Sequence, residues 1–145
     1  MAFFYVKSSF GTRTTGGGTT KQSGTFAALG AGNVYATVAA AISDGAGASD
    51  VICMSDVHDH DYGANTTIAG PTATASLTLF ILSVDDANCD TYSKGAREDA
   101  VDMIYTGRIT LYGQVMTLAD FLNVSGTGTA ANFVDCTIGI GGNND

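Results

Sequence analysis

The sequence DVICMSD at residues 50–56 decides the fold of this chain. Its apolar centre is flanked by Asp and Ser, and a short apolar, β-branched run between turn-forming residues is typical of a β-strand. Comparable runs recur through the rest of the chain, at residues 66–68, 77–82, 109–112, 121–124 and 133–138. The sequence therefore predicts an all-β protein.

The first part of the chain, residues 1–48, has a different pattern. Its aromatic run FFYV at residues 3–6 predicts a strand, and a Gly- and Thr-rich loop follows at residues 11–24. We expect this part to form one structural unit with the strands of residues 49–145.

An Ala-rich segment before Gly45 predicts one helix. Asn33 can serve as its N-cap. Val34, Val38 and Ile42 recur every four residues, with alanines between them that favour a helix. The glycine at position 45 is expected to end it.

Two all-β architectures fit the spacing of the apolar runs: a β-sandwich or jelly roll, and a solenoid with several strands in each coil. The runs are not joined by Asn-Gly or Asp-Gly hairpin turns. In addition, Gly113, Gly126 and Gly139 lie at intervals of thirteen residues beside strands, as the corners of a solenoid would. These two features favour the solenoid.

The order of strand, Gly/Thr loop, Ala-rich helix and DVICMSD resembles the opening of pectate-lyase-like right-handed parallel β-helix proteins. Within this family, residues 50–71, which include SDVHDHDYGANTT at 55–67, look like β-helix proteins encoded among the virion genes of tailed bacteriophages. Residues 133–138 (FVDCTI) resemble their coil repeat. The resemblance implies a right-handed parallel β-helix with a short capping strand and helix at its N-terminal end. That cap would cover apolar core which an open coil exposes.

The resemblance also implies a function. Such phage proteins are capsid cement or decoration proteins, or tailspikes. We expect a virion structural protein on the capsid exterior, most specifically a homotrimeric cement protein that binds the major capsid protein at capsomer junctions. The alternatives are a tailspike-type polysaccharide depolymerase and a small metal- or carbohydrate-binding β module.

Charge and hydropathy limit the partners. Six basic and fourteen acidic residues give a net charge of −8, which repels nucleic-acid phosphates and anionic membrane surfaces. The apolar run at residues 77–82 is too short to span a bilayer. We therefore expect neither a nucleic acid nor a membrane as a partner.

The segment at residues 56–61 is the most conspicuous polar cluster. His58 and His60 alternate along it, so an extended backbone would place them on one side, about 7 Å apart. Together with Asp56 they are candidate ligands for a divalent metal. The competing interpretation is a solvated turn, in which Asp is common. The sequence predicts no cofactor.

No catalytic set is apparent in the sequence, and we expect the chain not to be an enzyme. Glycosidases need two carboxyl groups that flank one bond, whereas neighbours such as Asp85 and Asp86 would point to opposite faces of a strand. Glu98, Asp99 and Asp102, with Arg108, are the other acid–base candidates. Cys53 and Cys136 lie in apolar runs, where thiols are usually inert.

Six residues near the N-terminus are candidates for contacts with a partner subunit. They are crowded outside the repeating strands, where most would be core of the end cap and some would face a partner. These residues are Phe3, Phe4, Tyr5, Phe10, Arg13 and Phe26.

Overall fold

The structure is a computed structural model that describes residues 1–71, 78–118 and 121–140, excepting the side chains of residues 117–130 and 140. The described residues consist mostly of strands, with two short α-helices and one 3₁₀ helix (Ala31–Asn33), so the predicted all-β class is confirmed. No helix in the described ranges is long and apolar enough to cross a membrane. The strands are β1 (Phe3–Val6), β2 (Val34–Tyr35), β3 (Val51–Ser55), β4 (Asp59–Asp61), β5 (Thr66–Ala69), β6 (Leu79–Val84), β7 (Arg97–Asp99), β8 (Asp102–Tyr112), β9 (Val115–Leu118), β10 (Phe121–Val134) and β11 (Thr137–Ile140).

The helix predicted from Asn33 is shorter than expected. Helix α2 spans Val38–Ser43, and its N-cap is Thr37, whose side chain accepts a hydrogen bond from the Ala40 N–H. Val34 instead lies in β2, where it pairs with Tyr5 of β1. The prediction of Asn33 as N-cap was wrong because pairing with β1 draws Val34 and Tyr35 into the sheet. A second helix, α1 (Phe26–Leu29), was not predicted.

The main sheet has the strand order β10-β8-β6-β3-β1-β2, and β5 also pairs with β8. Two further pairs, β4 with β7 and β9 with β11, form smaller sheets. Every pairing between these strands is parallel. Parallel neighbours cannot be joined by a tight hairpin, so the chain crosses over between them.

The long strand β8 changes partner at Gly107. Its first half pairs with β5, with Met103 opposite Thr66, and its second half pairs with β6, with Ile109 opposite Leu79. Gly107 has φ +73°, and a Cβ there would overlap the backbone carbonyl of Gly70. Glycine is required because it alone adopts this conformation readily and leaves room for the backbone at Gly70.

The glycines predicted as corners have different positions. Gly113 has φ +68° and lies between β8 and β9, as a corner residue does. Gly126 lies within β10 and Gly139 within β11, so the prediction was wrong for these two. Gly107, which fell outside the thirteen-residue interval, marks the change of partner in β8.

The core has two parts because both faces of the central strand are buried. From β3, Ile52 and Met54 point into the larger cluster with Ile81 of β6. Cys53 points into the smaller one, where it packs with Tyr5 and Phe26. Residues 1–48 thus share both clusters with the strands that follow, and α1 covers the outer face of the sheet.

Candidate functional site

His58 is one of the most deeply buried polar residues in the described part of the chain and is 1% exposed. It lies just before β4. Its Nδ1 accepts a hydrogen bond from the Ser8 N–H at 2.9 Å, and its Nε2 lies 3.2 Å from Oε1 of Glu98. Since Nδ1 accepts, the proton is on Nε2, which donates to the carboxylate.

Glu98 of β7 is the centre of this network and is 5% exposed. Its Oε1 accepts from the N–H of Val38, the first residue of α2, at 2.7 Å. Its Oε2 accepts from the Tyr62 hydroxyl at 2.8 Å. With His58 the carboxylate has three donors, which is what a buried charge needs to be tolerated.

Tyr62 completes the network on the solvent side. Burial and the adjacent Glu98 carboxylate raise the pKa of Tyr62 far above its ordinary value. Its hydroxyl therefore stays protonated and donates to Glu98. The Tyr62 ring also contacts His60 edge to face, with ring centroids 4.6 Å apart.

An imidazole bonded to a carboxylate can act as a base in catalysis, but this pair is not arranged for it. A general base must reach the proton that it removes. Both ring nitrogens of His58 are occupied by Ser8 and Glu98, and the ring has almost no exposed surface. The network instead joins four segments: the loop after β1, β4, β7 and the start of α2.

Two of the three candidate metal ligands, His58 and Asp56, are engaged in hydrogen bonds within the protein. The rings of His58 and His60 are 6.5 Å apart, close to the separation that the extended backbone predicts. Asp56, however, accepts hydrogen bonds from the Asp86 N–H and the Ser93 hydroxyl. In the described ranges no group of three or more His, Cys, Asp or Glu side chains could hold a metal ion.

The polar cluster is part turn and part strand: residues 56 and 57 form a turn after β3, as the competing interpretation expected, and Asp59–Asp61 form β4. β4 pairs with β7 so that Asp59 lies opposite Arg97 and His60 opposite Glu98. Arg97 hydrogen-bonds to the Asp99 carboxylate and lies 3.8 Å from Asp59. The Asp99 hydrogen bond raises the pKa of Arg97 above its ordinary value. The side chains of Asp59 and Asp61 face solvent.

The acid–base candidates are not brought together. Asp86 accepts hydrogen bonds from Lys7 and Ser55, both at 2.7 Å. Asp102 accepts one from Asn65 at 2.6 Å. Glu98 and its neighbour Asp99 point to different sides of β7, as strand alternation requires.

The partner-contact candidates divide into two groups. Phe4 and Tyr5 are 2% exposed and Phe26 is completely buried, so these three belong to the core and do not form a surface of the chain. They are buried because α1 and the Gly/Thr loop cover the sheet. Phe3, Phe10 and Arg13 remain partly exposed.

The three cysteines are free thiols. Burial raises the pKa of Cys53 to about 12 and also raises that of Cys89. Since the thiolate is the reactive form, both are unreactive core residues. Cys136 lies between β10 and β11 and is partly exposed, so the expectation that it is a strand residue was wrong.

Sequence reasoning treated Glu98 only as a member of a carboxylate pair and did not single out Tyr62. Side chains alternate between the two faces of a strand, so in β7 Glu98 lies on the opposite face from Arg97 and Asp99. This alternation is a sequence signal that could have pointed to Glu98. Its partners depend on the register with β4, which the sequence does not contain. Tyr62 carries no such signal.

The chain was also compared with known proteins. No protein-family model, no curated protein and no solved structure matches it.

Proposed function

We propose that this chain is a right-handed parallel β-helix that serves as a structural protein of a tailed-phage virion. In its specific form, the protein is a homotrimeric cement or decoration protein that binds the major capsid protein at capsomer junctions on the capsid exterior. The observation that carries the proposal is the parallel stacking of strands from successive segments of the chain. The sequence resemblance to phage β-helix proteins supplies the virion assignment.

The strand register supports the β-helix. β10 pairs with the first half of β8 at an offset of 19 residues and, after a register shift, with its second half at an offset of 22, as in Ile109 with Ala131. Val115 of β9 pairs with Thr137 of β11 at the same offset of 22 residues, so the two sheets share it over this part of the chain. A common offset in two sheets is typical of a coil that repeats. Parallel pairing between the named strands argues against a sandwich or jelly roll, whose strands are antiparallel. Right-handed crossovers are the rule for parallel strands, which supports the proposed handedness.

The hydrogen bonds that the polar side chains make favour a structural role over the activity of a polysaccharide depolymerase. The buried His58 accepts a hydrogen bond from Ser8, and the buried Glu98 accepts hydrogen bonds from Val38 and Tyr62. Asp86 and Asp102 are engaged with different segments. None of these groups forms the facing pair of carboxyls that glycoside cleavage needs.

The last strands offer a surface for self-association. In the described ranges, β10 pairs only with β8 and β11 only with β9, so each has one unpaired edge. Phe133 and Ile138 are only partly buried, and Val134 is 41% exposed. Unpaired edges with apolar side chains favour pairing with another chain.

The virion assignment is tested by mass spectrometry of purified particles from the phage that carries this gene. We expect the chain at a copy number comparable to that of the major capsid protein, and its absence would refute the proposal. Mild denaturant should release the chain while the shell stays intact. Light scattering of the purified chain tests the trimer, and a monomer at all concentrations would contradict it.

A further inference from the structure

A surface cavity of about 290 Å³ lies in the N-terminal region, away from the His58 network. The Gly/Thr loop supplies Thr19, Gln22 and Ser23 to its wall, and Asn33 also lines it. All four side chains are uncharged donors or acceptors of hydrogen bonds. This volume is at the lower end of the range for ligand pockets, so it suits one small molecule.

The buried wall of the cavity carries an unused hydrogen-bond donor. Tyr5 is 2% exposed, and its hydroxyl oxygen accepts a hydrogen bond from the Gln22 N–H at 2.7 Å. No acceptor for the hydroxyl proton is found among the residues that the structure describes. Burial raises the pKa of Tyr5 above its ordinary value, so this proton is retained at neutral pH. A buried donor without an acceptor is unfavourable unless a ligand or water supplies one.

The remaining wall is apolar, and no charged side chain of the described residues lines the cavity. Ala28 and Leu29 of α1 contribute aliphatic surface. Lys21, next to Gln22 in the chain, is ion-paired with Asp90. A cavity that combines hydroxyl and amide groups with a small aliphatic wall and no charged lining matches a neutral compound with both hydroxyl groups and C–H faces.

We propose that this cavity binds a small neutral polyhydroxy compound of about the size of one sugar ring, with the Tyr5 hydroxyl donating to a ligand oxygen. A free polyol and the end of a glycan share this chemistry, so either source fits the site. The site is formed by the cap region alone, so the proposal does not depend on the virion role.

The test is a ¹H–¹⁵N NMR titration of the full chain with methyl glucoside, sorbitol and glucuronate. We expect saturable shifts in the amides of residues 19–33 with a neutral probe. Preference for methyl glucoside indicates a ring, as at a glycan end, and preference for sorbitol indicates an acyclic polyol. Equal binding of glucuronate, or no saturable shift with any probe, would overturn the proposal.

Two variants separate binding from folding. Tyr5→Phe removes only the hydroxyl and should weaken binding about tenfold, as expected for one lost hydrogen bond. Tyr112→Phe is the matched control and should bind as the parent chain does. Because Tyr5→Phe also deprives Gln22 of its acceptor, Ala28→Leu is the second variant: it fills the cavity and keeps that bond. Unchanged binding in Ala28→Leu would contradict the assigned location.

Discussion

Nε2 of His58 lies 3.2 Å from Oε1 of Glu98, although 40 residues separate them in the chain. The pair connects β4 to β7, and the Val38 N–H adds the start of α2. Charged groups in a protein interior are tolerated only when they are paired and hydrogen-bonded. This contact therefore stabilises the arrangement of three segments that the sequence keeps apart.

The Glu98 carboxylate should contribute strongly to stability. In Glu98→Gln one amide oxygen replaces two carboxylate oxygens that accept from three donors, so at least one buried donor loses its partner. We expect a loss of about 1–3 kcal/mol in the free energy of unfolding, measured by urea denaturation. Asp61→Asn, an exposed change on β4, is the control and should have a much smaller effect.

The His58–Glu98 contact can be isolated by a double-mutant cycle. His58→Ala, Glu98→Gln and the double variant should show a coupling energy of about 0.5–3 kcal/mol, because the residues share one network. His60→Ala combined with Glu98→Gln provides the comparison, since the His60 ring contacts Tyr62 instead. Equal coupling in both cycles would argue against a specific role for His58.

Asp86 should make the free energy of unfolding depend on pH in the acidic range. Burial acts to raise its pKa, but hydrogen bonds from Lys7 and Ser55 outweigh this effect, so the pKa is lowered. A lowered folded-state pKa favours the fold above the unfolded pKa, and that contribution is lost as pH falls through the folded value. Asp86→Asn should thus lower the urea midpoint at neutral pH, with a difference from the parent that shrinks below about pH 4.

Asp85→Asn is the matched control for this acid dependence. Asp85 accepts a hydrogen bond from the Ala87 N–H through its side-chain oxygen, which an Asn can also provide. We expect its urea midpoint to follow that of the parent chain at every pH. A difference at Asp86→Asn that stays constant between neutral and acidic pH would show that the carboxylate charge is not responsible.

Gly107 should be the least replaceable glycine tested. Gly107→Ala combines a positive φ with overlap against Gly70, and we expect a loss of more than about 3 kcal/mol. Gly63→Ala is the control, because Gly63 has φ +64° and open space around its Cα. It should cost about 1–2 kcal/mol from backbone strain alone. Thermal unfolding measures both, and equal losses would exclude the steric contribution.

The thiols should react in a fixed order. Cys53 has a pKa of about 12 and is buried, and Cys89 is buried as well. In the native chain at neutral pH a thiol reagent should therefore modify Cys136 first, because it alone is partly exposed. All three should react in guanidinium chloride. Rapid modification of Cys53 in the folded chain would contradict its place in the core.

Several strands could be predicted from the sequence because their signal is local. The apolar run within DVICMSD became β3, and the run at residues 109–112 became the second half of β8. The helix prediction partly failed because the spacing of Val34, Val38 and Ile42 is a local signal too, and here a contact with a distant segment overrides it. This signal does not include the pairing of Val34 with Tyr5, which places Val34 in a strand.

The sequence by itself determined the all-β class, the acidic surface charge and the positions of most apolar runs, since these follow from composition and short-range periodicity. The tertiary structure decided which polar side chains meet. His58, Glu98 and Tyr62 come together only through the register of β4 on β7 and the placement of α2. The Tyr5 hydroxyl reaches its cavity only because the Gly/Thr loop folds over β1. Such contacts depend on distances between segments that are remote in the chain, and no local pattern records them.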